Sequence, residues 1–166
     1  MKRLAAAALT LIALTALAAC GDDSEDSGGR TGGATDDASP ASTATPTTEQ
    51  AGQAFLDLAQ PVNDAIARLN QLSGSGTVEQ FNEACTLVAD AQSTFIDEAG
   101  DAPWPADVDP LVAELTQATE GMRAHFLECA EAGDQASVKA SLDEAVRNAP
   151  TAQASAVRAA LGLPAA

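Results

Sequence analysis

The chain contains no tyrosine, one histidine, one tryptophan and four phenylalanines, and only 8 of its 166 residues are Lys or Arg against 24 Asp and Glu. A phosphate backbone is bound by clustered cations, so their scarcity excludes nucleic acid as a partner. Beyond Lys2 the only lysine is Lys139. General acid-base work would therefore fall to carboxylates, and these are scattered over what read as solvated helix faces. No nucleophile elbow, phosphate loop, dinucleotide fingerprint, S-x-x-K or haem-attachment C-x-x-C-H occurs. The expectation is a protein that is not an enzyme and has no cofactor and no resident metal. With so few aromatics and much alanine at the facing positions, helices can approach closely and leave little room for a large enclosed ligand. No segment is β-rich and no repeat of fixed period is present. The longest apolar run, Leu4 to Ala19, is broken only by Thr10 and Thr15, and its sixteen residues fall short of the ~20 that a spanning helix needs.

That run follows Lys2 and Arg3 and closes in small residues, which is the build of a secretory signal. It ends on Leu17-Ala18-Ala19-Cys20 and gives way at once to GDDSEDSGG. The four residues LAAC resemble the lipobox of bacterial lipoproteins. The resemblance implies that residues 1–19 are a cleaved signal peptide. It also implies that the Cys20 thiol carries diacylglycerol and becomes the first residue of the mature protein. Each buried CH₂ of an acyl chain contributes ~0.8 kcal/mol, so two chains hold a protein at a membrane where one would exchange. The expected location is the extracytoplasmic face of the cell membrane, reached through the lipid on Cys20 alone. Removing the signal leaves 6 basic and 24 acidic residues, a net charge of −18, which an anionic bilayer or cell-wall polymer would repel.

Residues 20–48 form the acylated cysteine and an acidic Ser/Thr/Gly/Pro linker without one large apolar side chain. Such a segment cannot bury enough surface to offset its ordering entropy and is expected to be disordered. Six acidic residues against Arg30 make it self-repelling, swollen beyond the ~30 Å span of a neutral coil of this length. Its Ser/Thr/Pro-rich second half reads as an unmodified spacer or as a stalk bearing O-linked sugar.

At Glu49 apolar residues begin to recur at helical spacing, and residues 49–166 read as one all-α domain, an up-and-down four-helix bundle. The first stripe is Phe55, Leu58, Val62, Ile66, Leu69 and Leu72, which keeps its register across Pro61 and so predicts a bent helix rather than two. SGSG follows as a loop, and Thr77 with Gln80 predicts a capping box for the second helix, whose stripe is Phe81, Ala84, Cys85, Val88, Ala91 and Phe95. After the stiff connector DAPWPADVDP, Asp109 is expected as the N-cap and Pro110 as the first residue of a third helix, with the stripe Leu111, Leu115, Ala118, Met122, Phe126 and Cys129. The fourth shows Val138, Leu142, Val146, Ala149, Val157 and Leu161, with a break or bend at Pro150 and the terminator LGLP.

Three cysteines are odd for an exported protein, but acylation of Cys20 would leave two. Cys85 and Cys129 fall on the inward stripes of helices two and three. At 1.5 Å per residue Cys85 lies ~21 Å before Ala99 and Cys129 ~29 Å beyond Pro110, an offset that helix stagger can absorb. Outside the membrane a disulfide between them is expected. His125 and Cys129, spaced i, i+4 beside Glu128 and with Cys85 within reach, also have a spacing that suits zinc. With a single histidine and no C-x-x-C, the disulfide is the expected outcome.

Trp104, between Pro103 and Pro105, is the one large aromatic outside the stripes. It reads as a plug for one end of the bundle or as an exposed contact for a partner or a sugar ring. PWPADVDPL and LGLP resemble segments of uncharacterised alanine-rich helical lipoproteins of high-GC Gram-positive bacteria, a resemblance of pattern that implies no activity. The functional expectation is a lipid-anchored, non-enzymatic module that binds an envelope protein or cell-wall component. The alternatives are a carrier of haem, metal or lipid in the bundle interior and a purely structural envelope protein.

Overall fold

The structure, a computed structural model, describes residues 45–72 and 74–165. The apolar leader, Cys20 and the linker up to residue 44 lie outside the described residues. Five helices follow one another: α1 Thr48–Gln71, α2 Val78–Asp101, α3 Asp109–Ala130, α4 Gln135–Arg147 and α5 Thr151–Ala160. No strand occurs among the described residues, and no described helix is long and apolar enough to cross a membrane. α1 packs on α2, α2 on α3, and α3 on both α4 and α5. This is the up-and-down four-helix bundle, with its fourth limb built from two short helices in series. The division falls at Pro150, which lacks the N–H a continuing helix would use and disfavours α geometry at Ala149. The chain turns there on a bond from the Thr151 N–H to the Ala149 carbonyl, 2.8 Å.

Local chemistry explains where each helix starts and stops. Thr47 and Gln50 form a reciprocal capping box that starts α1 at Thr48, one residue ahead of the composition change at Glu49. α1 runs unbroken through Pro61, which sits on its exposed side, so the buried residues Phe55, Ala65 and Leu69 stay on one face. Thr77 and Gln80 form the second capping box at α2. At the far end Gly162, with φ +66°, lets the Leu163 N–H reach the Arg158 carbonyl (2.9 Å) and its own N–H reach Ala159 (3.1 Å). That is the Schellman pattern of a glycine-terminated helix. Leu163 then lies on α1, where a Cβ on Gly52 would stand 3.4 Å from its Cδ2.

Two details differ from the sequence reading. Asp109 is not the N-cap of α3 but its first residue; Val108 holds the cap position without a side-chain bond. The turn from Pro105 already brings the Val108 and Asp109 N–H groups to the Pro105 carbonyl (2.8 and 3.0 Å), and Val108 is buried to 1 % exposure. Apolar anchoring takes the place of a polar cap. The second difference is the facing of α3 and α4. Val112 and Thr119 are buried where Leu111 and Ala118 were expected, and Ala145 is buried while Val146 is 49 % exposed. Because the fourth limb breaks at Pro150, its first half is free to choose a face independently of Val157 and Leu161.

The interior falls into two clusters. One joins Leu69, Phe81, Val88, Met122, Phe126 and Val138 around Cys85 and Cys129. The other joins Ala51, Phe55, Phe95, Trp104, Leu115 and Leu161, with Phe55 edge-on to Phe95 at 6.4 Å. Gln92 on α2 and Thr119 on α3 lie between the residues that the two clusters take from those helices. The Thr119 hydroxyl donates to the Leu115 carbonyl, 2.8 Å. Gln92 is fully buried, and neither its Oε1 nor its Nε2 has a protein partner among the described residues. An unpaired buried amide costs ~1–3 kcal/mol. Gln92→Met, nearly the same shape without the polar atoms, is therefore expected to raise stability by about 1 kcal/mol or more in chemical denaturation. A loss of stability would instead show that the amide is satisfied by ordered water.

Candidate functional site

The packing of α2 against α3 brings the two cysteines together. Cys85 and Cys129 have Cα atoms 5.9 Å apart and sulfurs at disulfide-bonding distance, and both are wholly buried. Three long-range hydrogen bonds tie the same end of the bundle. Asn82 Nδ2 donates to the Ala132 carbonyl (3.0 Å), Arg123 Nε to Ala89 (3.3 Å) and Gln135 Nε2 to Gly76 (3.0 Å). Gly76 fits this junction because a Cβ there would stand 2.8 Å from the Phe81 ring.

The residues whose spacing suits zinc are divided between different neighbours. Cys129 faces Cys85, whereas His125 faces α4: its Nδ1 lies 3.2 Å from Glu128 Oε2 and its Nε2 lies 3.2 Å from Asn148 Nδ2. No group of three or more His, Cys, Asp or Glu among the described residues is placed to hold a metal ion.

Trp104 is 7 % exposed, within the cluster of Phe95, Val108 and Leu161. Its indole Nε1–H donates to the Ala99 carbonyl at 2.7 Å. Ala99 lies in the last turn of α2, where carbonyls have no intrahelical donor, so the indole closes one of them while its ring fills the bundle end. At that exposure the side chain offers little contact to a partner.

A surface feature that sequence reasoning did not find is a groove of about 520 Å³ between α1 and α2. Pro61, Ala65, Leu87 and Ala91 line it with apolar surface, and Asp57, Gln60, Asp64 and Arg68 supply its polar groups. Leu87 is 41 % exposed, a large side chain left out of the α2 stripe. Pro61 has no N–H to offer the Asp57 carbonyl, leaving that acceptor without its helical donor. Gln53 Nε2 donates to Asp57 Oδ1 and Gln60 Nε2 to Asp64 Oδ1, both at 2.8 Å, which orients the two carboxylates. The groove can receive an apolar side chain flanked by hydrogen-bond donors or cations. The signals were present as Pro61 and an off-stripe leucine, but nothing in the sequence brings residues 61 and 87 together.

The carboxylates with displaced titration have structural causes. Glu79 is lowered by its own backbone N–H and by Thr77, and Asp134 by the backbone N–H and hydroxyl of Ser137 at the start of α4. Glu144 is lowered chiefly by the hydrogen bond from Arg147, whose own value rises in return. All are solvent-facing caps or ion pairs. Since each carboxylate is lowered in the folded state, its contribution is present above the ordinary carboxylate range and is lost as pH falls through the folded value.

Compared with known proteins, the chain matches no protein-family model, no curated protein and no solved structure.

Proposed function

We propose that the chain is a lipoprotein, anchored through Cys20 at the extracytoplasmic face of the cell membrane, that acts by binding an envelope protein or cell-wall component rather than by catalysis. The observation that carries the reading is LAAC at Leu17 to Cys20, closing an apolar run that begins after Lys2 and Arg3. The acidic segment behind it supports a stand-off tether, and the strong negative charge of the chain leaves membrane attachment to the acyl chains. The α1–α2 groove is the contact surface this reading uses. Its apolar lining and the Asp57 and Asp64 carboxylates suit a partner that presents an apolar side chain beside cations.

Cys20→Ala is expected to abolish both the acyl mass and retention in the membrane fraction, read by intact-mass analysis. A wild-type protein cut before Cys20 but lacking diacylglycerol would sink the assignment. On intact envelopes a photoreactive amino acid at position 87 is expected to give a discrete adduct that the same probe at the exposed position 139 does not. Adducts from neither position would favour the purely structural reading.

A further inference from the structure

We propose that His125 and Asn148 form a proton-operated latch between α3 and the C-terminal end of α4. His125 is the only histidine in the chain, and imidazole is the side chain whose ordinary charge change falls between about pH 5 and 8. Both ring nitrogens are engaged. Nε2 stands 3.2 Å from Asn148 Nδ2, and Nδ1 stands 3.2 Å from Glu128 Oε2. The proton positions follow from the partners. Asn148 Nδ2 also donates to the Glu144 carbonyl at 2.9 Å. A carbonyl can only accept, so that bond fixes which end of the Asn148 amide faces the ring. The amide NH₂ is presented to Nε2, so Nε2 must be the acceptor. The remaining ring proton is then on Nδ1 and is donated to Glu128. The latch as it stands requires the neutral ring in this one tautomer.

Adding a proton places an N–H on Nε2, aimed at a group that is itself a donor. Asn148 can then keep its bond to Glu144 and lose the ring, or turn over to offer Oδ1 to the ring and lose Glu144. The charged groups facing the ring are Glu128 from α3 and Glu144 from α4, the latter paired with Arg147. No charged side chain of α2 or α5 is bonded or ion-paired to the ring among the described residues. The protonated ring therefore keeps Glu128 and still faces Glu144, and Asn148 loses one of the two hydrogen bonds that its Nδ2 makes.

The loss matters because of where Asn148 sits. It is the C-cap of α4, its backbone N–H bonded to Glu144 (3.0 Å), and the chain breaks two residues later at Pro150. The joint buries little: Val146 is 49 % exposed and Asn148 and Ala149 are exposed. Among the described residues, the His125–Asn148 bond is the side-chain hydrogen bond that joins the α4–α5 joint to α3.

The test is ring and side-chain NMR with amide exchange on the full-length chain in detergent. At alkaline pH the ring nitrogens should report the proton on Nδ1. On acidification the Asn148 side-chain NH₂ signals should move with the same midpoint as the ring. Exchange at Asn148 to Thr151, corrected for intrinsic chemistry, should then rise about threefold to tenfold, the worth of one hydrogen bond. His125→Gln offers an acceptor that does not titrate, so its joint should show no such transition. The proposal is overturned if the alkaline ring carries its proton on Nε2, if the ring titrates while Asn148 stays still, or if the transition survives in His125→Gln. Should that variant fail to fold, the wild-type tautomer and the Asn148 signals decide alone.

Discussion

Cys85→Ala/Cys129→Ala is expected to melt on the order of 10 to 20 °C below the unmodified chain. The bond would close a loop with a sequence separation of 44 between α2 and α3. The chain-entropy argument assigns such a loop roughly 4 kcal/mol, a large share of the 5–15 kcal/mol typical of a domain. The surrounding core of Ala84, Val88, Ala89 and Ala132 beside Phe81, Met122 and Phe126 has little large apolar area with which to compensate. Because both sulfurs are wholly buried, a thiol reductant should leave the native bond largely intact and cleave it only as the bundle opens. Differential scanning calorimetry with non-reducing peptide mapping checks both statements. Recovery of free thiols from freshly isolated native protein, or an unchanged melting temperature in the double variant, would contradict them.

Trp104→Ala is expected to cost ~3–5 kcal/mol, the usual range for truncating a large buried aromatic. Two losses combine here. The cavity opens within the cluster of Phe95, Val108 and Leu161, and the Ala99 carbonyl loses the donor that holds it at 2.7 Å. Trp104→Phe separates them: it keeps most of the apolar area and abandons only the hydrogen bond, so about 1–2 kcal/mol is expected. As the only tryptophan in the chain, Trp104 gives an unmixed fluorescence signal, blue-shifted in the native state and moving red on unfolding. Emission already typical of water-exposed indole, with an unchanged melting temperature in Trp104→Ala, would reverse this reading. The connector between α2 and α3 would then become the partner contact.

What the sequence by itself determined is what acts within a few residues. Thr77 with Gln80, Gly162 before Leu163, and Pro150 each impose their geometry on neighbours three or four positions away, so they can be read without knowing the fold. The same signature at Thr47 and Gln50 was equally local but lay hidden in a threonine-rich stretch. The apolar periodicity placed Phe55, Leu69, Phe81, Val88, Met122 and Phe126 on inward faces, and the facing of Cys85 and Cys129 followed from two antiparallel stripes of sufficient length.

Tertiary structure alone decided which residue of an adjacent pair turns inward. Val112 over Leu111, and Ala145 over Val146, differ by one step of 100° around a helix, and only the position of the partner helix chooses between them. It also decided that a glutamine could be enclosed at position 92, where the stripe continues through a polar side chain. The α1–α2 groove and the His125–Asn148 contact depend on residues 26 and 23 positions apart, joined by packing and not by any local rule. Helix starts and stops are short-range hydrogen-bond chemistry. Surfaces that can bind or respond to a proton arise where separate helices meet, and that meeting is settled by the packing of the whole core.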